Sequence, residues 1–339
     1  MVFTLVLIII IMALLFDFFN GFHDAANAIS TIVITKTLTP LQAVILAGLL
    51  NFVGYFIFGI AVAKTIGKGV IDTELISQSL LLYVILSALI GAIIWNIITW
   101  LLGLPTSSSH ALIGGLVGAG IAAAGFKVVL LKGVLTIMSF IILAPFLGFL
   151  GAIFFSTIVI RLFWKINPKK AAKVFKILQL FSAGFFAIGH GTNDAQKSMG
   201  IIALALFAGG INQVFHIDGW VIFSCYAAIS IGTMFGGWRI VKTMGTKITK
   251  IRAMEGFCAE TSSAVVLLLT AHFGVPVSTT HVIAGSIMGV GAVERAASVR
   301  WITARKIMWA WLLTIPLTAI CSAVVYQFVM FLHNILNIL

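Results

Sequence analysis

The stretch GHGTNDAQKSMG, Gly189 to Gly200, sets a histidine, an aspartate and a lysine inside a hydrophobic sequence. A second stretch, NGFHDAANAIS from Asn20 to Ser30, carries the same pattern. GFHDAANA (Gly21–Ala28) lies over GTNDAQKS (Gly191–Ser198) without a gap, with Asp24 and Asp194 170 positions apart. Two further pairs follow. LGLPTSSSHALIGGLVGAG (Leu102–Gly120) lies over FGVPVSTTHVIAGSIMGVG (Phe273–Gly291) at an offset of 171, pairing Pro105 with Pro276 and His110 with His281. GYFIFGIAVAKTIG (Gly54–Gly67) lies over GTMFGGWRIVKTMG (Gly232–Gly245) at an offset of 178. Three matches in one order at a nearly constant offset make the chain a duplication.

The medium follows from composition. Of the 339 residues, 61% are hydrophobic and 9% charged, against about a quarter charged in soluble domains. Several apolar runs exceed the ~20 residues that cross a hydrocarbon core, which predicts an all-α polytopic membrane protein. The run Val2–Phe16 lacks a basic leader region and a small-residue cleavage site, so it reads as a first span that is kept. The net charge of +12 sits in short segments between apolar runs. That is the positive-inside pattern rather than a nucleic-acid surface, and no nucleic-acid partner is expected. Cys225, Cys258 and Cys321 form no CxxC pair and predict neither disulfide nor metal site.

Each half holds five apolar segments, about 2–35, 41–63, 78–102, 107–125 and 133–160, then 174–210, 219–240, 254–274, 277–293 and 304–333. The division expected is a first repeat over 1–160, a basic linker over 161–176 and a second repeat over 177–339. An odd number of segments per half turns the second half upside down. The linker Arg161–Lys176 has six Lys/Arg and no acid, which places it in the cytoplasm. Counting from there, Arg239–Arg252 and Arg295–Lys306, with five and four basic residues, fall inside as well. Lys64–Glu74 and Asn212–Gly219 fall outside, as do both termini. Residues 2–35 would make a rod of ~50 Å against ~30 Å of hydrocarbon. Breaks are therefore expected at NGFHD and GHGTND, and again at Pro105 and Pro276. Four discontinuities, as broken helices or re-entrant hairpins meeting at the midplane, are a transporter pattern, because irregular backbone is tolerated there only when buried or lining a cavity.

The chemistry at these breaks comes in two kinds. PTSSSHALIGG and PVSTTHVIAGS put Ser107, Ser108, Ser109, Ser278, Thr279 and Thr280 at helix N-termini, where free N–H groups and the helix dipole attract anions. Six hydroxyls around one site suit a small tetrahedral oxyanion. Asp24 and Asp194, with Asn20, Asn27 and Asn193 close by, offer hard oxygen ligation for sodium, or a carboxyl that carries a proton. An acid at membrane depth costs at least ~2.5 kcal/mol, so its presence twice calls for a role. Glu260 is a third candidate for the cation site, with Asn96 as a polar counterpart in the first half. Asp17, Glu255 and Glu294 lie nearer segment ends and read as interfacial. Lys197 stands where the first half has Asn27, three residues past Asp194. It is expected to pair with Asp194 or touch the anion, replacing a mobile ion in that half. His23, His110, His190 and His281 also sit at the expected breaks, with no titration role assigned.

These motifs, GFHDAANAIS, GHGTNDAQKSMG, PTSSSHALIGG and PVSTTHVIAGS, resemble the duplicated signatures of the inorganic phosphate transporter (Pit) family, in its short prokaryotic low-affinity branch. The resemblance covers nearly the whole chain. Many relatives end the second motif in Asn-Ala, where this chain has DAQKS. The resemblance implies a homodimeric symporter of the plasma (inner) membrane, without a cofactor. Phosphate would be held by the hairpin tips and by the segments carrying Asn27, Asn193 and Lys197. It also implies coupling to sodium or protons, and in prokaryotic relatives carriage of a divalent metal–phosphate complex, with magnesium or another cation. One branch carries sulfate, so another oxyanion is the alternative. An enzyme is disfavoured: there is no HExxH, no GxGD, and Ala195-Gln196 precede Lys197 where a phosphate loop needs glycine. An anion channel would need no paired acids beside its anion site.

Overall fold

The apolar runs do fold as helices. A computed structural model describes residues 2–57 and 59–336. The first half runs α1 (Val2–Ile34), α2 (Pro40–Ile57), α3 (Ala61–Gly69), α4 (Gln78–Leu102), α5 (Ser108–Ala124) and α6 (Leu131–Phe163). The second runs α7 (Pro168–Ala208), α8 (Gly219–Phe235), α9 (Trp238–Thr246), α10 (Ala253–His272), α11 (Thr279–Glu294) and α12 (Trp301–Leu336). Seven of these are long and apolar enough to cross a membrane, or eight if the bent pair α8 and α9 is one span. The protein is a multi-pass, all-helical membrane protein.

Six helices per half replace the five segments expected, because the second segment of each half breaks. The axis turns by 71° between α8 and α9, at Gly236, whose φ of 71° lies in the left-handed region. Conversely, α1 and α7 run unbroken through NGFHD and GHGTND, where breaks were expected. Their glycines serve close approach instead. A Cβ on Gly21 would collide with the Ile229 carbonyl of α8, and one on Gly191 would stand 2.5 Å from the Asn51 carbonyl of α2. His23, Asp24, Asn27, Asp194 and Lys197 bond side chains of neighbouring helices, so they hold their places without the helix opening. The true breaks abut the same points. Gly237 seats against the Phe22 and His23 carbonyls. At the start of α3, the Val62 and Ala63 amides donate to Gln196 Oε1 of α7 at 2.8 and 3.3 Å.

The breaks expected at Pro105 and Pro276 are present as tight turns between α4 and α5 and between α10 and α11. Gly103 (φ 64°) and Gly274 (φ 68°) end the first helix of each pair. Ser107 and Ser278 cap the second, each hydroxyl accepting from the amide three residues on, His110 or His281, at 3.3 Å.

Packing repeats between the halves. α1 packs on α8 and α9 as α7 packs on α2 and α3; α5 packs on α12 as α11 packs on α6. Gly114 seats against Ile315 and Gly118 against Ala319, just as Gly285 seats against Pro145 and Gly289 against Phe149. α1 and α7 are antiparallel: Lys176 Nζ at the start of α7 donates to the Lys36 carbonyl beyond α1 at 2.9 Å, and Gly209 after α7 seats against Val6.

Segments read as lying on one side do gather. Phe163, Trp164 and Pro168 share a cavity with Arg252 and Glu255, Arg252 bonds Glu294 at 3.2 Å, and Arg300 donates to the Thr246 carbonyl at 3.1 Å. At the opposite end Asp72 and Glu74 share a cavity with Leu204, Phe207 and Phe215. The basic stretch 161–176 is mostly helix, since α6 runs to Phe163 and α7 starts at Pro168.

Candidate functional site

The midpoints of α1 and α7 meet at their aspartates. Ligand atoms of Asp24, Asp194 and His190 all lie within 4.8 Å of one another, and the three residues are at most 3% exposed. Thr279, in the first turn of α11, points its hydroxyl at both carboxylates, 3.4 Å from Asp24 Oδ2 and 3.2 Å from Asp194 Oδ2. His23 Nδ1 lies 2.6 Å from Asp24 Oδ1, and its Nε2 lies 3.2 Å from Thr99 of α4.

The hydrogen-bond chain behind His190 fixes what this histidine offers. Thr233 Oγ1 donates to the Ile229 carbonyl at 2.9 Å, so it accepts from Asn51 Nδ2 at 2.8 Å. That turns Asn51 Oδ1 toward His190 Nδ1, 3.2 Å away, and the imidazole must donate there. A neutral ring then presents its Nε2 lone pair to Asp194 Oδ2 at 3.3 Å. Two acceptors face each other beside a second carboxylate. Ligand atoms converging in this way suit a cation between them. A histidine that donates one ring N–H to a carbonyl and frees the other nitrogen is the usual posture of a metal ligand. The sequence alone assigns His190 no role; its signal is its place four residues before Asp194, on the same helix face.

Lys197 is fully buried. Its ammonium donates to Asp194 Oδ1, to Ser109 Oγ of α5, and to the Val277 carbonyl at 3.2 Å. All three of its N–H donors are used, and it ties α7 to both hairpin turns. Asn27 takes the equivalent place on α1, donating to Thr280 at 2.9 Å and Thr279 at 3.4 Å. Asn27–Thr280 and Lys197–Ser109 are the same contact made twice, each across the two halves. The cluster sets two carboxyl groups against one ammonium, with His23 beside Asp24 and His190 beside Asp194.

The hydroxyl runs are at the centre as expected, each residue at most 5% exposed. Ser107 and Ser278 are occupied as caps; Ser109, Thr279 and Thr280 face Lys197, the aspartates and Asn27. Ser108 Oγ and Thr106 Oγ1 have no hydrogen-bond partner. Behind the turns, His110 and His281 face each other at 4.8 Å between ring centroids. Trp311 stacks on His281 at 4.1 Å and donates to the Pro105 carbonyl at 2.9 Å.

Other expected members stand apart. Asn20 is buried with neither end of its amide bonded. Asn193 donates to the Leu267 carbonyl at 3.4 Å and leaves Oδ1 free. Glu260 has its own pocket, bonded by Thr31 and Ser182 at 2.5 Å and Gln179 at 3.0 Å. Thr31 is seven residues, about 10 Å, beyond Asp24 on α1. Asn96 lines a separate cavity with Phe19, Phe22, His23 and Trp100. Asp17, read as interfacial, is wholly buried within the protein and accepts from Ser198 of α7 at 2.6 Å.

Comparison with known proteins agrees with this arrangement. The profile of the phosphate transporter family matches residues 20–322. A probable low-affinity inorganic phosphate transporter of Rhizobium meliloti (strain 1021) is 49% identical over 325 residues, 96% of both chains. A protein of the same description from Bacillus subtilis (strain 168) is 45% identical over 323 residues, 95% of this chain and 96% of its own. A solved structure titled the sodium-dependent phosphate transporter superimposes with a TM-score of 0.89 at 27% identity, covering 97% of this chain and 99% of that one. Matched along nearly its full length in sequence and in fold, the chain belongs to the phosphate transporter family, and is a transporter rather than an enzyme.

Proposed function

We propose that the protein imports inorganic phosphate by cation symport, holding phosphate at the N-termini of α5 and α11 and the coupling cation between Asp24, Asp194 and His190. The observation that carries this reading is the His190 Nε2 lone pair facing Asp194 Oδ2 beside Asp24. An anion site alone has no use for two converging carboxylates; a symporter does. Phosphate at neutral pH carries one to two negative charges, and it meets two aspartate side chains here. Both are costly at membrane depth unless cations accompany them. Lys197 supplies one of those charges permanently. Ser108, with its free hydroxyl, and the first-turn amides of α5 and α11 receive the phosphate oxygens. Bound together, anion and cation offset each other, while either alone is disfavoured.

The antiparallel meeting of α1 and α7 supports the inverted repeat, and the gathering of the basic segments at one end supports placing that end in the cytoplasm, with both termini outside. The plasma membrane and a homodimer are the setting this reading assumes.

A second reading is favoured by the nitrogen ligand. Asp24, Asp194 and His190 suit a divalent metal that enters as a metal–phosphate complex. The test is radiolabelled phosphate uptake into proteoliposomes under a sodium gradient alone, a proton gradient alone, and either with magnesium or manganese added or chelated. Sodium dependence makes the cluster a sodium site. Proton dependence lost on chelation makes it the site of the metal–phosphate complex. Uptake indifferent to every cation overturns symport.

A further inference from the structure

One buried carboxylate takes no part in this site. Asp17 lies seven residues before Asp24 on α1, about 10 Å from it along the axis, on the side away from Glu260. Its Oδ1 accepts from Ser198 at 2.6 Å, while Oδ2 is buried with no partner. Asn20, one turn on, has both ends of its buried amide unbonded. Asp17, Asn20, Asp24, Asn27 and Thr31 are all buried and fall on one face of α1, at alternating steps of three and four. At the far end Thr31 bonds Glu260. A polar stripe thus runs ~21 Å along an unbroken helix, with a lone acid near each end and the aspartate pair in the middle.

The end acids are not relics of the duplication. At the offsets that align the halves, Asp17 falls on Ala187, Ser198 on Ala28, and Cys225, which faces Asp17 from α8, on Ala47. All three counterparts are buried alanines. Glu260 likewise falls on Leu89, and Thr31 on Ile201. A half-bonded carboxylate has been placed once, in surroundings whose twin is apolar. Besides Ser198, the groups that bear on it are Cys225 of α8, and Asp194 and Lys197 of α7; among the described residues, no other helix on α1 sets a titratable group against it. Among the described residues, no cationic group is in contact with its carboxyl.

From this we infer that Asp17 is a second station for the coupling cation, a proton or a sodium ion, bound by Oδ2 with Asn20 and Ser198 at its sides. It stands between the central pair and the end of the molecule where the loops at 70–74 and 212–218 gather. The inference rests on the symport reading above. A cation entering from that end meets Asp17 one step before Asp24. Glu260 takes the corresponding step on the far side.

The test measures the cation-to-phosphate ratio in proteoliposomes, from the phosphate gradient at which net flux vanishes under a sodium gradient and, separately, under a proton gradient. For Asp17→Asn the ratio is expected to fall by one for the ion that occupies the station, which also identifies that ion. Ala187→Ser, at the apolar twin, is expected to leave the ratio unchanged. A purely structural Asp17 would lower the amount of folded protein without altering the ratio, and an unchanged ratio for both ions overturns the inference. If Asp17→Asn does not insert, Ser198→Ala replaces it, with the half-saturating cation concentration expected to move about tenfold, the weight of one hydrogen bond to a charged group: upward for sodium, which loses a neighbouring oxygen, and downward for a proton, because the lost donor stabilised the ionised carboxylate; no shift for either ion overturns the inference. A wild-type protein without any cation dependence would instead sink the symport reading itself.

Discussion

Lys197 is the residue on which the centre turns. It balances Asp194 and holds Ser109 and the Val277 carbonyl, so it serves charge and shape together. Removing one partner of a buried ion pair costs about 3–5 kcal/mol, because the other charge is left uncompensated. Lys197→Met is therefore expected to lower the melting temperature in detergent and abolish uptake. Adding Asp194→Asn should recover most of the melting temperature and none of the uptake; recovery of uptake would show that the pair only braces the fold. Ser108 is the milder case. Its hydroxyl is free, so Ser108→Ala should leave stability alone and raise the phosphate KM several-fold, by about 1 kcal/mol of lost hydrogen bonding. An unchanged KM would remove Ser108 from the anion site. At this scale the sequence was partly legible. Asp24, Asp194 and Lys197 announced themselves because charge in an apolar run is conspicuous, and the aspartate appears twice. His190 did not, because its role depends on Asn51 and Thr233, which lie on two other helices, α2 and α8. The burial of Asp17 is not legible either, because Ser198, which closes over it, comes from α7.

Among the elements, the long helices carry the lesson. Glycine and polar residues inside an apolar run suggest an open turn, and the duplicated proline turns met that expectation. In α1 and α7 the same residues sit in continuous helix, because Gly21 and Gly191 receive a neighbour's carbonyl and Asp24, Asn27, Asp194 and Lys197 find partners on other helices. Local sequence cannot distinguish these outcomes; the difference lies in what packs alongside. The breaks went instead to Gly236 and to the link between α2 and α3, where sequence showed unbroken apolar runs. This packing makes Gly21 intolerant of a side chain. Gly21→Val is expected to destabilise the protein by roughly 1–3 kcal/mol through overpacking against Ile229. Gly219→Ala, where a Cβ meets nothing within 4 Å, should not. Equal melting temperatures for the two variants would mean that the contact between α1 and α8 adjusts freely.

For the whole molecule, sidedness is the property open to test. Lys170 and Ala297 belong to the basic end, Ser77 to the end that gathers Asp72 and Glu74. In a background cleared of native cysteines, an impermeant thiol reagent added to intact cells should label Ser77→Cys and spare Lys170→Cys and Ala297→Cys until the membrane is opened. Labelling of Lys170→Cys and Ser77→Cys from one side would break the topology. The exchange of partners between the halves has a further consequence, in the order of synthesis. α5 is packed against α12, and α6 against α11, so neither half contains the surfaces its own hairpin needs. Ala124 leaves the ribosome 177 residues before Trp301. At the usual 5–20 residues per second, α5 waits about 10–35 s for its partner. During that interval its glycine face is bare in the membrane, next to whatever helices the insertion machinery has already released. The newborn chain is then most vulnerable to pairing with a stranger, and a first half made alone should be degraded unless the second is supplied beside it.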